Sequence, residues 1–209
     1  MVTGVVSGTV QITATAGQYS DTCEVTVLKE AQKFFAYNET ARSWVQLNKE
    51  TGEMTTVKQE TGRSPITAAA YTGETMYGYD RDGYFYEINP NTFERTKLGD
   101  GIHGLTRELL IDGDYYDVPV EITDLSYDPE TSRLFGIMNG LYQDDSEGIW
   151  TIYAAVVEVN LEEGRENPYT GDVIPVGSYL NIVANDGYRP GNLLVQNGTA
   201  YYVDTWRSG

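Results

Sequence analysis

Closely spaced aspartates, such as those in "DRDG", are the first residues to consider, because their carboxylates could bind a metal ion. The sequence "DRDG" (80–83) places two carboxylates around an arginine. An EF-hand calcium loop needs oxygen ligands at positions one, three, five and twelve, and glycine at position six. With Gly83 at position six, Gly78 would occupy position one and Asn89 position twelve, so the first ligand and the bidentate glutamate are both missing. We therefore predict a hairpin turn here, because Asp-Gly between alternating strands favours a turn.

A second acidic segment, "LYQDDSEG" (141–148), is interpreted as an insertion in a repeated pattern described below. Its Asp144, Asp145 and Glu147 offer the carboxylate oxygens that calcium prefers, and insertions in loops tend to carry function. If the chain binds a cation, we expect it at this insertion, and calcium is the ion that such a ligand set would suit. No glycine-rich loop followed by a helix is available to cradle a phosphate, so no organic cofactor is expected.

Nucleophilic catalysis finds little support in the sequence. His103 is the single histidine, and no G-x-S-x-G motif accompanies it. We interpret His103 as a loop residue, and neither it nor Cys23 has partners at the spacing of a zinc site. A glycosidase needs only two carboxylates that the fold brings together, and a chain with 31 Asp and Glu residues offers no way to choose the pair. A carbohydrate-active enzyme that uses loop carboxylates stays open as an alternative, although a non-catalytic function is favoured.

Aromatic residues near turns favour binding, because tyrosine and tryptophan offer flat contact faces at a low cost in conformational entropy. The candidates for ligand contact are the loop aromatics Tyr115, Tyr116, Tyr142, Trp150 and Tyr188. We expect the segments 100–121 and 139–150 to be loops that form the contact surface. The alternating tyrosines of the stretch 77–86 have a plainer interpretation, since alternate ones are expected to pack between sheets.

The net charge of the chain argues against some classes of binding partner. It carries 31 Asp and Glu residues against 14 Lys and Arg residues, which gives a formal net charge of -17. Such a field repels phosphate backbones and anionic lipid heads, so neither a nucleic-acid partner nor docking on an anionic membrane is expected. Membrane insertion is not expected either, because no apolar run approaches the roughly 18 residues needed to span a bilayer. With 40% hydrophobic and 22% charged residues, the chain has the composition of a folded globular protein.

The first 28 residues predict two strands. In "SGTVQITATAGQYSDTCEVTVL" apolar and polar residues alternate on both sides of a polar turn, "AGQYSD" (16–21), which is typical of half-buried strands. The stretch resembles the last strands of a bacterial Ig-like domain of group 2, in which an I-x-A stretch precedes a terminal strand of the form C-x-V-T-V. The resemblance implies that residues 1–28 end such a domain, and that the chain is a fragment of a modular bacterial protein of the cell surface or one that is secreted.

The remainder of the chain repeats itself. "KFFAYNETARSWVQLNKETGEMTTVKQ" and "TMYGYDRDGYFYEINPNTFERTKLG" share an aromatic strand, a polar turn, a strand that ends in Asn, a second turn and a short closing strand. Such units are expected at about 33–62, 66–99 and 122–179, with a partial unit at 190–209. The stretches "SYDPETSRLFGI" and "GYFYEINPNTFERTKLG" resemble repeats of bacterial extracellular β-propellers.

Four short antiparallel strands that repeat about every 40 residues, with growth confined to loops, are typical of a propeller. The predicted fold class is therefore all-β, with propeller-like antiparallel four-stranded repeats over 33–209 that form an incomplete propeller, preceded by the Ig-like hairpin segment. An open or sandwiched all-β sheet is the alternative. One or two helical turns are expected only in "IHGLTRELLIDG" (102–113), where apolar residues recur at helical spacing.

These observations predict a non-catalytic binding or adhesion module that belongs to a bacterial cell-surface or secreted protein. Its expected partners are a glycan or an extracellular protein, together with other domains of the same longer chain. The blades would form a rigid scaffold, and the loops between strands would make the contacts. The alternatives are the carbohydrate-active enzyme and a purely structural spacer.

Overall fold

A computed structural model describes residues 8–27, 34–111, 114–144, 148–184 and 190–204. Within these residues the regular structure consists of strands alone, and neighbouring strands are antiparallel in the first and last hairpins and in the sheets of four and five strands. The all-β prediction is confirmed. Sheets of three, four and five strands follow one another along the chain, an arrangement consistent with an incomplete propeller-like fold.

The described residues form five sheets, and within each sheet consecutive strands are neighbours. The first hairpin consists of β1 (Gly8–Ala16) and β2 (Tyr19–Val27). The three-stranded sheet consists of β3 (Phe34–Asn38), β4 (Ser43–Leu47) and β5 (Met54–Gln59), and the four-stranded sheet of β6 (Ile66–Tyr71), β7 (Met76–Asp80), β8 (Phe85–Ile88) and β9 (Arg95–Gly99). The five-stranded sheet consists of β10 (Thr106–Ile111), β11 (Asp114–Asp128), β12 (Arg133–Asp144), β13 (Gly148–Val159) and β14 (Tyr179–Ala184), and the last hairpin of β15 (Pro190–Gln196) and β16 (Thr199–Asp204).

The chain divides into two compact units, which comprise residues 1–36 with 46–55, and residues 37–45 with 56–209. The predicted domain limits of 1–28 and 33–209 stay a prediction. In the first unit β1 and β2 pair with Val10 opposite Val25. Their turn is shorter than the predicted "AGQYSD", because the strand β2 already begins at Tyr19. The predicted half-buried faces are largely exposed, with Val10 53% exposed.

The second unit has its main core between the four-stranded and five-stranded sheets. Tyr79 and Phe85 from the former pack with Leu134, Met138 and Val157 from the latter. The buried hydroxyl of Tyr79 donates a hydrogen bond to the carbonyl of Gly177, and burial raises the pKa of this hydroxyl above its ordinary value. The segment 174–178 thereby becomes part of the core wall.

A smaller core surrounds a buried ion pair. Trp44 and Phe93 stack with their ring centroids 5.1 Å apart. Beside them, the Arg95 guanidinium donates to the Glu60 carboxylate at 2.9 Å and to the carbonyl of Ser64 at 2.9 Å. Burial lowers the pKa of Arg95. A charge in this place is tolerated because the carboxylate and the carbonyl satisfy its donors.

Strand β6 of the four-stranded sheet lies beside strand β11 of the five-stranded sheet. Thr67 on β6 donates its hydroxyl hydrogen to the carbonyl of Ile122 on β11 at 2.9 Å. Further along β11, three side chains bind the last hairpin in place of a backbone ladder. They accept the N–H groups of the last hairpin, with Leu193 N bound to Asp124 at 2.7 Å, Val195 N to Ser126 at 2.8 Å and Gly198 N to Asp128 at 2.8 Å. We call this row of bonds the β11 ladder.

The helical turns predicted for 102–113 are wrong. Residues 101–104 form turns, and Thr106–Ile111 is the strand β10, which pairs with β11 from Thr106 opposite Pro119 to Ile111 opposite Asp114. A β-branched residue begins and ends this strand, and such residues favour a pleated strand over a helix. The tertiary pairing therefore overrides the helical spacing of the apolar residues.

One turn recurs three times, and we call it the Asn-Thr turn. It covers residues 48–53, 89–94 and 167–172, with Asn first, Thr fourth and an acid sixth. In each copy the Asn side-chain oxygen accepts the N–H two residues on, the Thr hydroxyl oxygen accepts the N–H of the acid, and two backbone bonds close the ring. The fifth residue has a positive φ and is glycine twice and Phe93 once. These local bonds explain why the same short pattern recurs in the sequence.

Candidate functional site

Two hairpins project from one end of the five-stranded sheet. β11 and β12 pair up to Val120 opposite Gly140. Beyond this pair, residues 114–119 of β11 continue with β10, and residues 141–144 of β12 continue with β13. Because β11 and β12 are antiparallel, both continuations run towards the same end. We call residues 106–111, 114–119, 141–144 and 148–151 the hairpin end.

Two of the predicted ligand residues lie on the first hairpin of the hairpin end. Tyr115 is opposite Leu110, and Tyr116 is opposite Leu109. Tyr115 is 70% exposed and Tyr116 39% exposed. Adjacent residues of a strand point to opposite faces, so this hairpin presents an aromatic ring on each face.

Two further predicted residues lie on the second hairpin. Tyr142 of β12 and Trp150 of β13 are directly opposite in the strand register. The segment 139–150 was expected to be a loop, and so was 100–121. That expectation is wrong for most of both segments, because the strands run on to Ile111 and Asp144. Aromatic and β-branched residues favour such strand extension.

The predicted calcium ligands are only partly within the described residues. Asp144 ends β12 opposite Gly148, whereas Asp145, Glu147 and the aromatic candidate Tyr188 lie outside the described residues. In the part of the chain that the structure describes, no group of three or more His, Cys, Asp or Glu side chains is placed to hold a metal ion. The calcium site at this insertion stays a prediction.

The "DRDG" stretch is a turn between β7 and β8, as predicted. One oxygen of the Asp80 carboxylate accepts the N–H groups of Asp82 and Tyr84, at 3.1 and 3.0 Å, and the other accepts the Tyr86 hydroxyl at 2.9 Å. Burial raises the pKa of Asp80, although these bonds work in the opposite direction. The carboxylate that suggested a metal therefore stabilises its own turn.

His103 supports the same turn from outside. Its Nδ1 lies 2.7 Å from the carbonyl oxygen of Asp82. Its ring stacks on Tyr84 with the centroids 4.1 Å apart, and the Lys97 ammonium covers the other face of Tyr84 at 3.7 Å from the centroid. His103 is an exposed turn residue, in agreement with its interpretation from sequence.

A groove of about 650 Å³ opens in the second unit, over one face of the four-stranded sheet. The turn 72–75 and the second Asn-Thr turn form two of its walls, and Tyr127 of β11 and Leu161 contribute from the five-stranded sheet. We call it the polar groove, because most of its lining side chains carry hydroxyl, amide or carboxyl groups: Thr72, Glu74, Thr75, Tyr77, Glu87, Asn89, Asn91, Thr92, Glu94, Thr96 and Tyr127.

Two tyrosines are the aromatic part of the polar groove. Tyr77 and Tyr127 are both partly buried, and within the described residues neither hydroxyl has a hydrogen-bond partner in the protein. The ring of Tyr77 is fixed by stacking on Phe85 at 5.6 Å. Burial raises the pKa of the Tyr77 hydroxyl, and the Glu87 carboxylate and the Tyr127 hydroxyl nearby raise it further.

Two of the three glutamates in the polar groove are already engaged. Glu87 accepts the Thr75 hydroxyl at 3.1 Å, and Glu94 forms an ion pair with Lys58. That ion pair lowers the pKa of the Glu94 carboxyl. The groove therefore offers a ligand more hydroxyl and amide groups than free charge.

The sequence did not lead to the polar groove. Tyr77 belonged to an alternating row interpreted as packing between sheets, which holds for Tyr79 but only partly for Tyr77. Tyr127 and Leu161 come from another sheet, so their position depends on how the sheets pack. The one available signal was the Asn-Thr pattern, which marks the turn 89–94 as a fixed wall.

A comparison with protein-family profiles and with curated proteins found no match for this chain. The resemblances to an Ig-like domain and to propeller repeats therefore stay predictions. No helix among the described residues has the length and apolar character needed to cross a membrane.

Proposed function

We propose that this chain is a non-catalytic binding module that recognises a glycan or an extracellular protein through its hairpin end. The observation that carries the proposal is the projection of two neighbouring hairpins towards one end of the five-stranded sheet. On the first of them, Tyr115 exposes 70% of its surface. Exposed aromatic residues on a rigid scaffold are typical of recognition surfaces.

The backbone of the hairpin end supports the proposal. Residues 142 and 150 are paired in the register of β12 and β13, and residues on strands are held in place more firmly than residues on loops. The same two strands, β12 and β13, continue into the main core, where Leu134 and Val157 are fully buried. A surface so anchored loses little conformational entropy when it binds.

The setting of the module is part of the proposal. We propose a bacterial cell-surface or secreted protein, in which this chain is joined to other domains, on the basis of its resemblance to Ig-like and propeller repeats. The net charge of -17 supports partners other than nucleic acid and anionic lipid.

A glycan array and a pull-down from extracellular proteins test this function with the purified chain. We expect a partner that the unchanged protein retains and that Tyr115→Ala and Trp150→Ala both lose. Truncation of a contact aromatic should reduce affinity by about tenfold or more. Tyr169→Ala is the matched control, because Tyr169 is 95% exposed on a turn outside the hairpin end.

Two results would contradict the proposal and favour another function. A complete lack of partners in both screens would favour a structural spacer. Turnover of a polysaccharide that is abolished by one Asp or Glu substitution would show a carbohydrate-active enzyme.

A further inference from the structure

We propose that the polar groove is a second ligand site and that it binds an uncharged oligosaccharide. The inference does not rest on the function proposed for the hairpin end, because the two surfaces share no residue. The polar groove has a volume of about 650 Å³, which lies within the range of about 300–1,000 Å³ that small-ligand clefts occupy.

The lining matches a ligand that both donates and accepts hydrogen bonds. Sugar hydroxyl groups do both, and so do the threonine hydroxyls and asparagine amides that dominate the groove. The side chains of Asn91 and Thr96 make no hydrogen bond to other described residues. They can therefore bind a ligand without giving up a bond inside the protein.

The two tyrosines add specificity for sugar rings. Tyr77 and Tyr127 present partly buried rings, which can pack against the C–H face of a pyranose. Their hydroxyls, without partners among the described residues, can bond to the hydroxyls at the edge of the sugar. A partly buried polar group without a partner gains more from such a bond than an exposed one.

The charges of the polar groove select against ionic ligands. Glu74, Glu87 and Glu94 line it, and no Lys or Arg does so among the described residues, so a uronic or sialic acid would meet repulsion. A lysine-rich peptide is favoured less than a sugar, because Lys58 already pairs with Glu94 and because hydroxyl and amide side chains in the lining outnumber the carboxylates by eight to three. An uncharged polyol is the class that this lining favours.

The test is an NMR titration of the isotope-labelled chain. The uncharged probes are cellotetraose, mannotetraose and triacetylchitotriose, and the ionic probes are trigalacturonate and an oligolysine peptide. We expect at least one uncharged probe at millimolar concentration to shift the amide signals of residues 72–77 and 87–96, and neither ionic probe to do so.

Conservative variants assign the shifts to the polar groove. Tyr77→Phe with Tyr127→Phe removes both hydroxyls and keeps both rings, so the fold is retained, and affinity should fall about tenfold or more. Tyr169→Phe is the matched control, because Tyr169 is exposed outside the groove, and it should leave affinity unchanged. The variants Tyr115→Ala and Trp150→Ala should also leave these shifts intact, which separates this site from the hairpin end.

Four outcomes would overturn the inference. They are the absence of shifts with every uncharged probe, equal binding of trigalacturonate, binding of oligolysine in place of the sugars, and an affinity that the double Tyr→Phe variant does not change.

Discussion

Phe93 shows that one residue can accept backbone strain in exchange for packing. It occupies the fifth position of an Asn-Thr turn at a φ of 56°, where the other two copies have Gly52 and Gly171. Its ring is 5% exposed and stacks on Trp44. The sequence predicted the turn at this position, but only the packing explains why a large residue takes the place of glycine.

Substitution of Phe93 separates strain from packing. Phe93→Ala keeps a side chain at a positive φ and loses the buried ring, so we expect a loss of about 3–5 kcal/mol in the free energy of unfolding. Phe93→Gly loses the same ring but relieves the strain, so it should be more stable than Phe93→Ala by about 1 kcal/mol. Urea denaturation measures both values. Equal stability of the two variants would show that the backbone at residue 93 is not strained.

At the scale of elements, the β11 ladder joins the last hairpin to the rest of the unit. Alternate residues of β11, Asp124, Ser126 and Asp128, accept N–H groups that lie along the free edge of β15 or in its turn. The period of two is that of a strand. A repeat pattern in the sequence predicted the strands themselves, but side-chain bonds to another sheet's backbone have no signature in the spacing of residues.

The middle bond of the β11 ladder gives a clean test. Ser126→Ala leaves the buried N–H of Val195 without an acceptor, so we expect a loss of about 1–3 kcal/mol in the free energy of unfolding. Amide hydrogen exchange at Val195 should accelerate, because its protection depends on this bond. Ser20→Ala, on the exposed face of β2, serves as the control and should change stability by less than about 0.5 kcal/mol. Unchanged exchange at Val195 would contradict the ladder.

The prediction of elements succeeded where the signals were local. The aromatic strand β7, the "DRDG" turn and the turns that follow the strand-ending Asn48 and Asn89 depend on residues within a few positions of one another. It failed for β10 and for the length of β12, whose strand character depends on distant partners such as β11 and β13. The polar groove was out of reach for the same reason, since Tyr77 and Tyr127 meet only once two sheets have packed.

At the scale of the second unit, the segment 174–178 packs against the four-stranded sheet, a contact that the sequence did not predict. Gly177 has a φ of 82°, and a methyl group on it would collide with the Phe85 side chain. Its carbonyl accepts the buried Tyr79 hydroxyl, and Ser178 donates to the carbonyl of Gly101 at 3.1 Å. This segment, at the end of the long connection between β13 and β14, therefore closes the main core over the four-stranded sheet.

The contrast between two glycines tests this closure. Gly177→Ala adds both backbone strain and a collision with Phe85, so we expect a loss of about 2–5 kcal/mol in the free energy of unfolding. Gly171→Ala has a similar φ of 75° but nothing within 4 Å of the added methyl group, so only the strain of about 1–2 kcal/mol applies. Thermal and urea denaturation compare the two variants. If both variants lose the same free energy of unfolding, the close approach of residue 177 to Phe85 does not affect stability.

The Asn-Thr turn also bears on how the chain folds. All its bonds join residues no more than five positions apart, so closing such a loop costs little entropy and takes well under a microsecond. The copies at 48–53 and 89–94 connect β4 to β5 and β8 to β9. If these turns form early, they set the register of the strand pairs that they connect before the sheets pack on one another. A fixed register prevents a shift by one residue, which would turn every side chain of an alternating strand to the other face.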